Sequence, residues 1–88
     1  MANFLGGSAP AMASQVAEGF ILLSPNTLKG FLSGDLGALR QELDKLLREA
    51  RAVTPPADDA LAQQARNRKI SRLNSAILVV TNRMTARH

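Results

Sequence analysis

The amino-acid sequence predicts an all-α protein: an antiparallel, coiled-coil-like helical hairpin with short N-terminal helices, forming part of a helical bundle. Three observations carry that prediction. The 88-residue chain has three Phe and no Trp or Tyr, so its core is aliphatic. Leu- and Ala-rich cores edged by Glu, Lys, Arg and Gln suit helices. Two separate stretches place apolar residues at alternating spacings of three and four, the pattern of a heptad seam. Between them stands "TPP" (residues 54–56), and a residue before proline is pushed out of the α region.

The elements follow in chain order. Residues 1–7, "MANFLGG", read as a loose leader ending in a Gly-Gly hinge. Ser8 is placed to cap a helix whose first turn contains Pro10, because a side-chain oxygen satisfies an orphan N–H and Pro has none to lose. Met12, Val16, Phe20 and Leu23 recur at spacings of four, four and three, one helical face. In "SPNTLKGFLSGD" Ser24 is a second N-cap with Pro25 behind it; Leu28, Phe31 and Leu32 give a short apolar turn and Gly34 ends it. Asp35 then caps a helix with the seam Leu36, Leu39, Leu43, Leu46, Ala50 and Val53, on which Asp44 and Arg48 form an i,i+4 pair. After the Pro-Pro turn, Asp58 and Asp59 suit the positive N-terminus of a last helix. That helix is expected over residues 57–84, with the seam Ile70, Leu73, Ile77, Val80 and Met84. "AILVVT" (residues 76–81) has strand-like composition, but the chain offers it no second strand, so it is read as helix.

Two seams joined by a short turn make an antiparallel hairpin. The division expected is 1–34 for the leader and short helices and 35–88 for the hairpin. The last helix outruns its partner by roughly 10 Å at ~1.5 Å per residue, so the N-terminal helices or another chain must cover the overhang. A chain this short allows one domain, and small domains commonly draw missing core from partner chains.

Composition excludes several functions. There is no Cys, hence no disulfide framework, thiol nucleophile or Cys-based zinc site. The one His is His88, at a terminus, and no nucleophile–base–orienter set is present. The protein is therefore expected not to be an enzyme and to need no cofactor. Asp58-Asp59 lacks the further oxygen ligands a hard cation needs. "GFLSG" (residues 30–34) reads as a helix stop and turn, and Gly6-Gly7 has no phosphate-loop context. No apolar run reaches ~18 residues, and the first basic residue is Lys29, which does not fit a secretory or transit signal. No membrane span is expected, and a cytoplasmic location is the default.

The net charge is +4, all of it C-terminal. Up to Thr54 five basic residues balance five acidic ones; beyond it six basic residues face only Asp58 and Asp59. On a helical wheel Arg68, Lys69, Arg72, Arg83 and Arg87 form a ridge beside the apolar stripe, while Arg66 falls on the stripe itself. Such a ridge binds phosphates salt-dependently, or forms a rim that meets an acidic partner. Without Tyr or Trp the chain is poorly equipped to stack bases. Ile77, Leu78, Val79 and Val80 are consecutive and cover most of the helix circumference, which calls for burial on several sides.

These features together point to a non-enzymatic helical interaction protein: a subunit, adaptor or co-chaperone in a heteromeric complex. Its aliphatic seam would hold partner helices through Leu39, Leu43, Leu46, Ile70, Leu73, Ile77, Leu78 and Val80. Arg68, Lys69 and Arg72 form the charged rim. A small basic nucleic-acid-binding protein is the second reading, and a self-associating homodimeric four-helix bundle the third.

The strings "ALRQELDKLLREARA" (residues 38–52) and "QQARNRKISRLNSAILVV" (residues 63–80) resemble the small needle-subunit co-chaperones of bacterial type III secretion, which are helical hairpins. The resemblance covers a little over half the chain; residues 1–35 have no counterpart in that compact hairpin. It implies a protein that shields an aggregation-prone partner within a heteromeric complex. It implies no binding residue beyond the seam.

Overall fold

The computed structural model describes residues 7–86 and contains three helices: α1 (Ala9–Ala17), α2 (Ser33–Ala52) and α3 (Ala60–Ala86). The leader before Gly7, and the ridge member Arg87 with the terminal His88, lie outside the described residues. The all-α class and the α2–α3 hairpin are as the sequence predicts, and residues 76–81 are helical.

The Ser8 hydroxyl oxygen accepts the Ala11 N–H at 3.3 Å and starts α1, with Pro10 in the first turn. The helix stops sooner than the apolar spacing suggests. Gly19 takes φ +82°. Its N–H donates to the Val16 carbonyl at 3.1 Å, and the Phe20 N–H donates to the Gln15 carbonyl at 2.9 Å. That is a Schellman ending, which needs a left-handed residue just past the helix. Met12 and Val16 are buried as expected, but Phe20 leaves the face and is 77% exposed. Leu23 returns to the core from an extended segment rather than from the helix.

The expected second helix is a single hydrogen-bonded turn. Thr27 Oγ1 accepts the Ser24 N–H at 2.8 Å, and Ser24 Oγ accepts the Thr27 N–H at 3.4 Å. This reciprocal pair resembles a helix start, yet Gly30 at φ +86° ends the segment after one turn. Leu28 and Phe31 plug into the core; Leu32 stays more exposed than buried. The stop is therefore Gly30, and Gly34 lies inside α2. Asp35 is not the cap residue but sits in the first turn, where its Oδ2 accepts the Leu32 N–H at 3.0 Å.

Leu36, Leu39, Leu43, Leu47 and Ala50 form the buried stripe of α2. Leu47 goes deeper than the predicted Leu46, which is half-buried at the edge of the same core, and Val53 is exposed. The cause is a third packing element. A strict heptad stripe fits one neighbouring helix, whereas α2 packs against both α1 and α3 and needs a broader face. Val53 takes an extended conformation ahead of the prolines. α3 starts three residues later than expected: Asp59 Oδ1 accepts the Ala62 N–H at 3.0 Å, which makes Asp59 the cap.

In α3, Leu73, Ala76 and Val80 are buried, and Ile70, Ile77, Val79 and Met84 are half-buried against them. One apolar core runs from Met12 to Val80 and joins both sides of the expected 34/35 division. The C-terminal end of α1, at Ala17 and Glu18, meets the turn-proximal half of the hairpin. The segment of residues 21–24 then runs along α3, sharing a groove with Ser71, Ser75 and Val79. The overhanging first turns of α3 lie beside the Pro55-Pro56 connection, and Gln63 Nε2 donates to the Pro56 carbonyl at 3.1 Å. Leu61 on that overhang remains 79% exposed.

Candidate partner-binding surface

The predicted site residues fall into three groups. Leu39, Leu43, Leu73 and Val80 lie wholly inside the chain's own core. Leu46, Ile70 and Ile77 are half-buried around it. Leu78 is different: it is 60% exposed. The consecutive apolar run is thus not surrounded on all sides, because α1 and α2 cover only two flanks of α3 and Leu78 points away from both.

The basic ridge resolves into separate jobs. Arg66 Nε donates to the Val53 carbonyl at 2.7 Å and its Nη2 to the Arg51 carbonyl at 3.2 Å. The last carbonyls of a helix lack intrahelical partners, and a cation there also meets the negative end of the macrodipole. Arg66 therefore caps α2 from across the hairpin, which explains a base on the apolar stripe. Arg72 does the same for α1: its Nη1 donates to the Ala17 carbonyl at 3.0 Å. One turn away Lys69 Nζ pairs with Glu18 at 3.7 Å. Arg68 is exposed and has no hydrogen-bond partner among the described residues. Arg83 lies beside Pro25, Val79 and Asn82, with its Nε buried and unpartnered.

Arg66, Arg68, Lys69 and Arg72 rim a cleft of about 690 Å³ at the turn end, floored by Ala50, Val53, Pro55, Pro56, Ala62 and Ala65. The carbonyl ends of α1 and α2 open into it, so much of its positive charge answers partial negative charge within the chain. That arrangement suits a structural clamp better than a phosphate track.

Of the other exposed apolar side chains, Phe20, Leu22 and Leu78 lie away from this cleft. Leu22 is 83% exposed and lines a second groove, of about 350 Å³, with Val16, Gly19, Ser71, Arg72, Ser75 and Val79. Phe20 stands two residues before it on the same segment, and Leu78 follows Ser75 by three positions on α3. The outward face of α3 between these anchors carries Asn67, Ser71, Asn74, Ser75 and Asn82, all exposed and all uncharged. The outer face of α2, by contrast, carries Arg40, Asp44, Lys45, Arg48 and Glu49. A search for apolar spacing passes over a polar face of this kind, and the exposure of Phe20 and Leu22 follows from the Gly19 stop.

No family model, curated protein or solved structure matches this chain. The fold defines its class: a three-helix all-α protein built on a helical hairpin. No helix among the described residues is long and apolar enough to cross a membrane.

Proposed function

We propose that this protein is a non-enzymatic interaction module, a subunit, adaptor or co-chaperone of a larger protein assembly. It takes a helix of another protein chain along the outer face of α3. One observation carries the reading. Phe20, Leu22 and Leu78 stand 77%, 83% and 60% exposed, and α3 presents the uncharged residues Asn67, Ser71, Asn74, Ser75 and Asn82 on its outer side, with Arg72 at the edge of the groove that Leu22 lines. Large apolar anchors around a polar, uncharged strip are the makings of a helix-binding groove. Arg68, at the margin of that strip, is the base best placed to meet an acidic partner residue and steer association. The heptad seam of the sequence then builds the module, and the opposite face of the same helix does the binding. Shielding an aggregation-prone helix is one form such binding takes, and it is the form the co-chaperone resemblance implies.

The test is a photo-reactive residue at Ser75 of the full chain in its native extract. Discrete adducts are expected that the same probe at Lys45 does not give and that Leu22→Asp suppresses while the helical circular-dichroism signal persists. Equal labelling from Ser75 and Lys45, or adducts indifferent to Leu22→Asp, would overturn the reading.

A further inference from the structure

The turn-end cleft carries positive charge that the fold does not use. Arg66, Arg68, Lys69 and Arg72 line it, and Glu18 is the one acid among its lining residues. The C-terminal ends of α1 and α2 each contribute about half a negative charge. Four cations set against one carboxylate and two helix ends leave roughly +2. That surplus sits chiefly on two exposed side chains. Arg68 has no hydrogen-bond partner among the described residues. Arg72 donates from Nη1 to the Ala17 carbonyl, and its other N–H groups remain for a ligand.

Apolar surface adjoins the charge. Leu61, Ala65, Arg68 and Arg72 follow one another at spacings of four, three and four, so they form one stripe of α3. All four are exposed. Leu61, at the turn end of the stripe, is 79% exposed. Across the cleft Val53 and Pro56 are exposed as well. The cleft is thus apolar toward the Pro-Pro connection and cationic toward the end of α1.

We propose that this cleft takes a short acidic–aliphatic segment of another protein. Its aliphatic side chains lie against Leu61, Val53 and Pro56, and its carboxylates meet Arg68 and Arg72. Charge complementarity selects the acid, because a guanidinium offers a planar fork that matches a carboxylate. Length selects a peptide. Residues 61–72 span about 16 Å at ~1.5 Å per residue, which fits about five extended residues at ~3.3 Å each. A nucleic acid fits less well. The cleft has no aromatic side chain to stack a base, and half of the stripe is apolar. The proposal concerns a different surface from the outer groove of α3 and stands without it.

Fluorescence anisotropy on the full chain tests it, with a labelled short peptide of Leu, Asp and Glu as the probe. Saturable binding is expected that weakens with salt but persists, since part of it is apolar. A peptide of Glu alone should bind about tenfold more weakly, because it buries no aliphatic side chain. Arg68→Glu should weaken the Leu, Asp and Glu peptide by about tenfold with an unchanged helical spectrum, since Arg68 bonds to nothing in the fold. Leu61→Ser, also outside the core, should weaken it by about fivefold. Lys45→Glu makes the same charge change on the outer face of α2 and should stay within about twofold of the parent. No saturable binding at millimolar peptide, or equal losses for Arg68→Glu and Lys45→Glu, overturns the proposal. So does a single-stranded oligonucleotide that binds more tightly than the peptide and is weakened by Arg68→Glu, which would assign the cleft to nucleic acid. Leu22→Asp should suppress the Ser75 adducts and leave peptide binding as it is, so failure of either surface is seen separately.

Discussion

Replacing Arg66 by Ala should destabilise the fold, although the side chain keeps some contact with solvent. Arg66 donates to the carbonyls of Val53 and Arg51 at the C-terminal end of α2, at 2.7 and 3.2 Å. Hydrogen bonds from a charged donor are worth about 1.5–3 kcal/mol where water is excluded. A charge at a helix C-terminus adds about 0.3–1 kcal/mol. Solvent competes for this guanidinium, so the combined loss is set at about 1–2 kcal/mol, toward the low end of that scale. In a domain this small, that is a fall in Tm of roughly 5–10 °C. Arg68 is the internal control. It stands two residues away with the same charge and side chain but touches no carbonyl, so Arg68→Ala should change stability by less than about 0.5 kcal/mol. Thermal and urea unfolding followed by circular dichroism measure both. Equal losses for Arg66→Ala and Arg68→Ala would mean that general charge, not capping, underlies the effect, and the clamp argument would be refuted.

Other expectations follow from single positions. Leu73 is completely buried where α1, α2 and α3 meet, so Leu73→Ala should cost about 2–5 kcal/mol; a loss under about 1 kcal/mol in urea titration would contradict the packing described. Gly19 has φ +82°, and a Cβ there would stand 3.1 Å from Arg72 Cζ. Gly19→Ala should therefore destabilise by about 1–2 kcal/mol through left-handed strain, read as a lowered Tm, whereas an unchanged or raised Tm would show that the helix end is not held this way. The Lys69–Glu18 pair is long and partly solvent-exposed, so Lys69→Gln should shift stability by no more than about 0.5 kcal/mol, and a larger loss in the same unfolding assay would point to a role the ion pair does not explain.

The hairpin was legible because its seams obey one local rule. Leucines three and four apart and two prolines between the seams are enough to name α2, α3 and their antiparallel turn. The N-terminal third was harder to read. Met12, Val16, Phe20 and Leu23 keep helical spacing, but the backbone turns left-handed at Gly19 and leaves Phe20 in solvent. A glycine stop outranks apolar spacing, and the same rule puts the second stop at Gly30 instead of Gly34. Leu47 over Leu46, and Ala76 over Ile77, depend on where α1 and the 21–24 segment settle, which is a tertiary fact. The ridge shows the same limit. The wheel places Arg68, Lys69 and Arg72 side by side, yet only the fold reveals that Arg72 meets Ala17, 55 residues earlier in the chain. The uncharged outer side of α3 lacks the apolar signal by which helix faces are usually picked out.

The central claim is that the aliphatic seam closes within one chain and leaves the outer face of α3 as the surface that meets partners. Light scattering after size exclusion, with circular dichroism on the same fractions at low micromolar concentration and at both low and high salt, tests it most directly. The account predicts a folded, helical monomer of 9.4 kDa at either salt. A poorly helical chain, or an oligomer that persists at the lowest concentration, would show that Leu39, Leu43, Leu73 and Val80 need another chain to bury them, and would contradict the account.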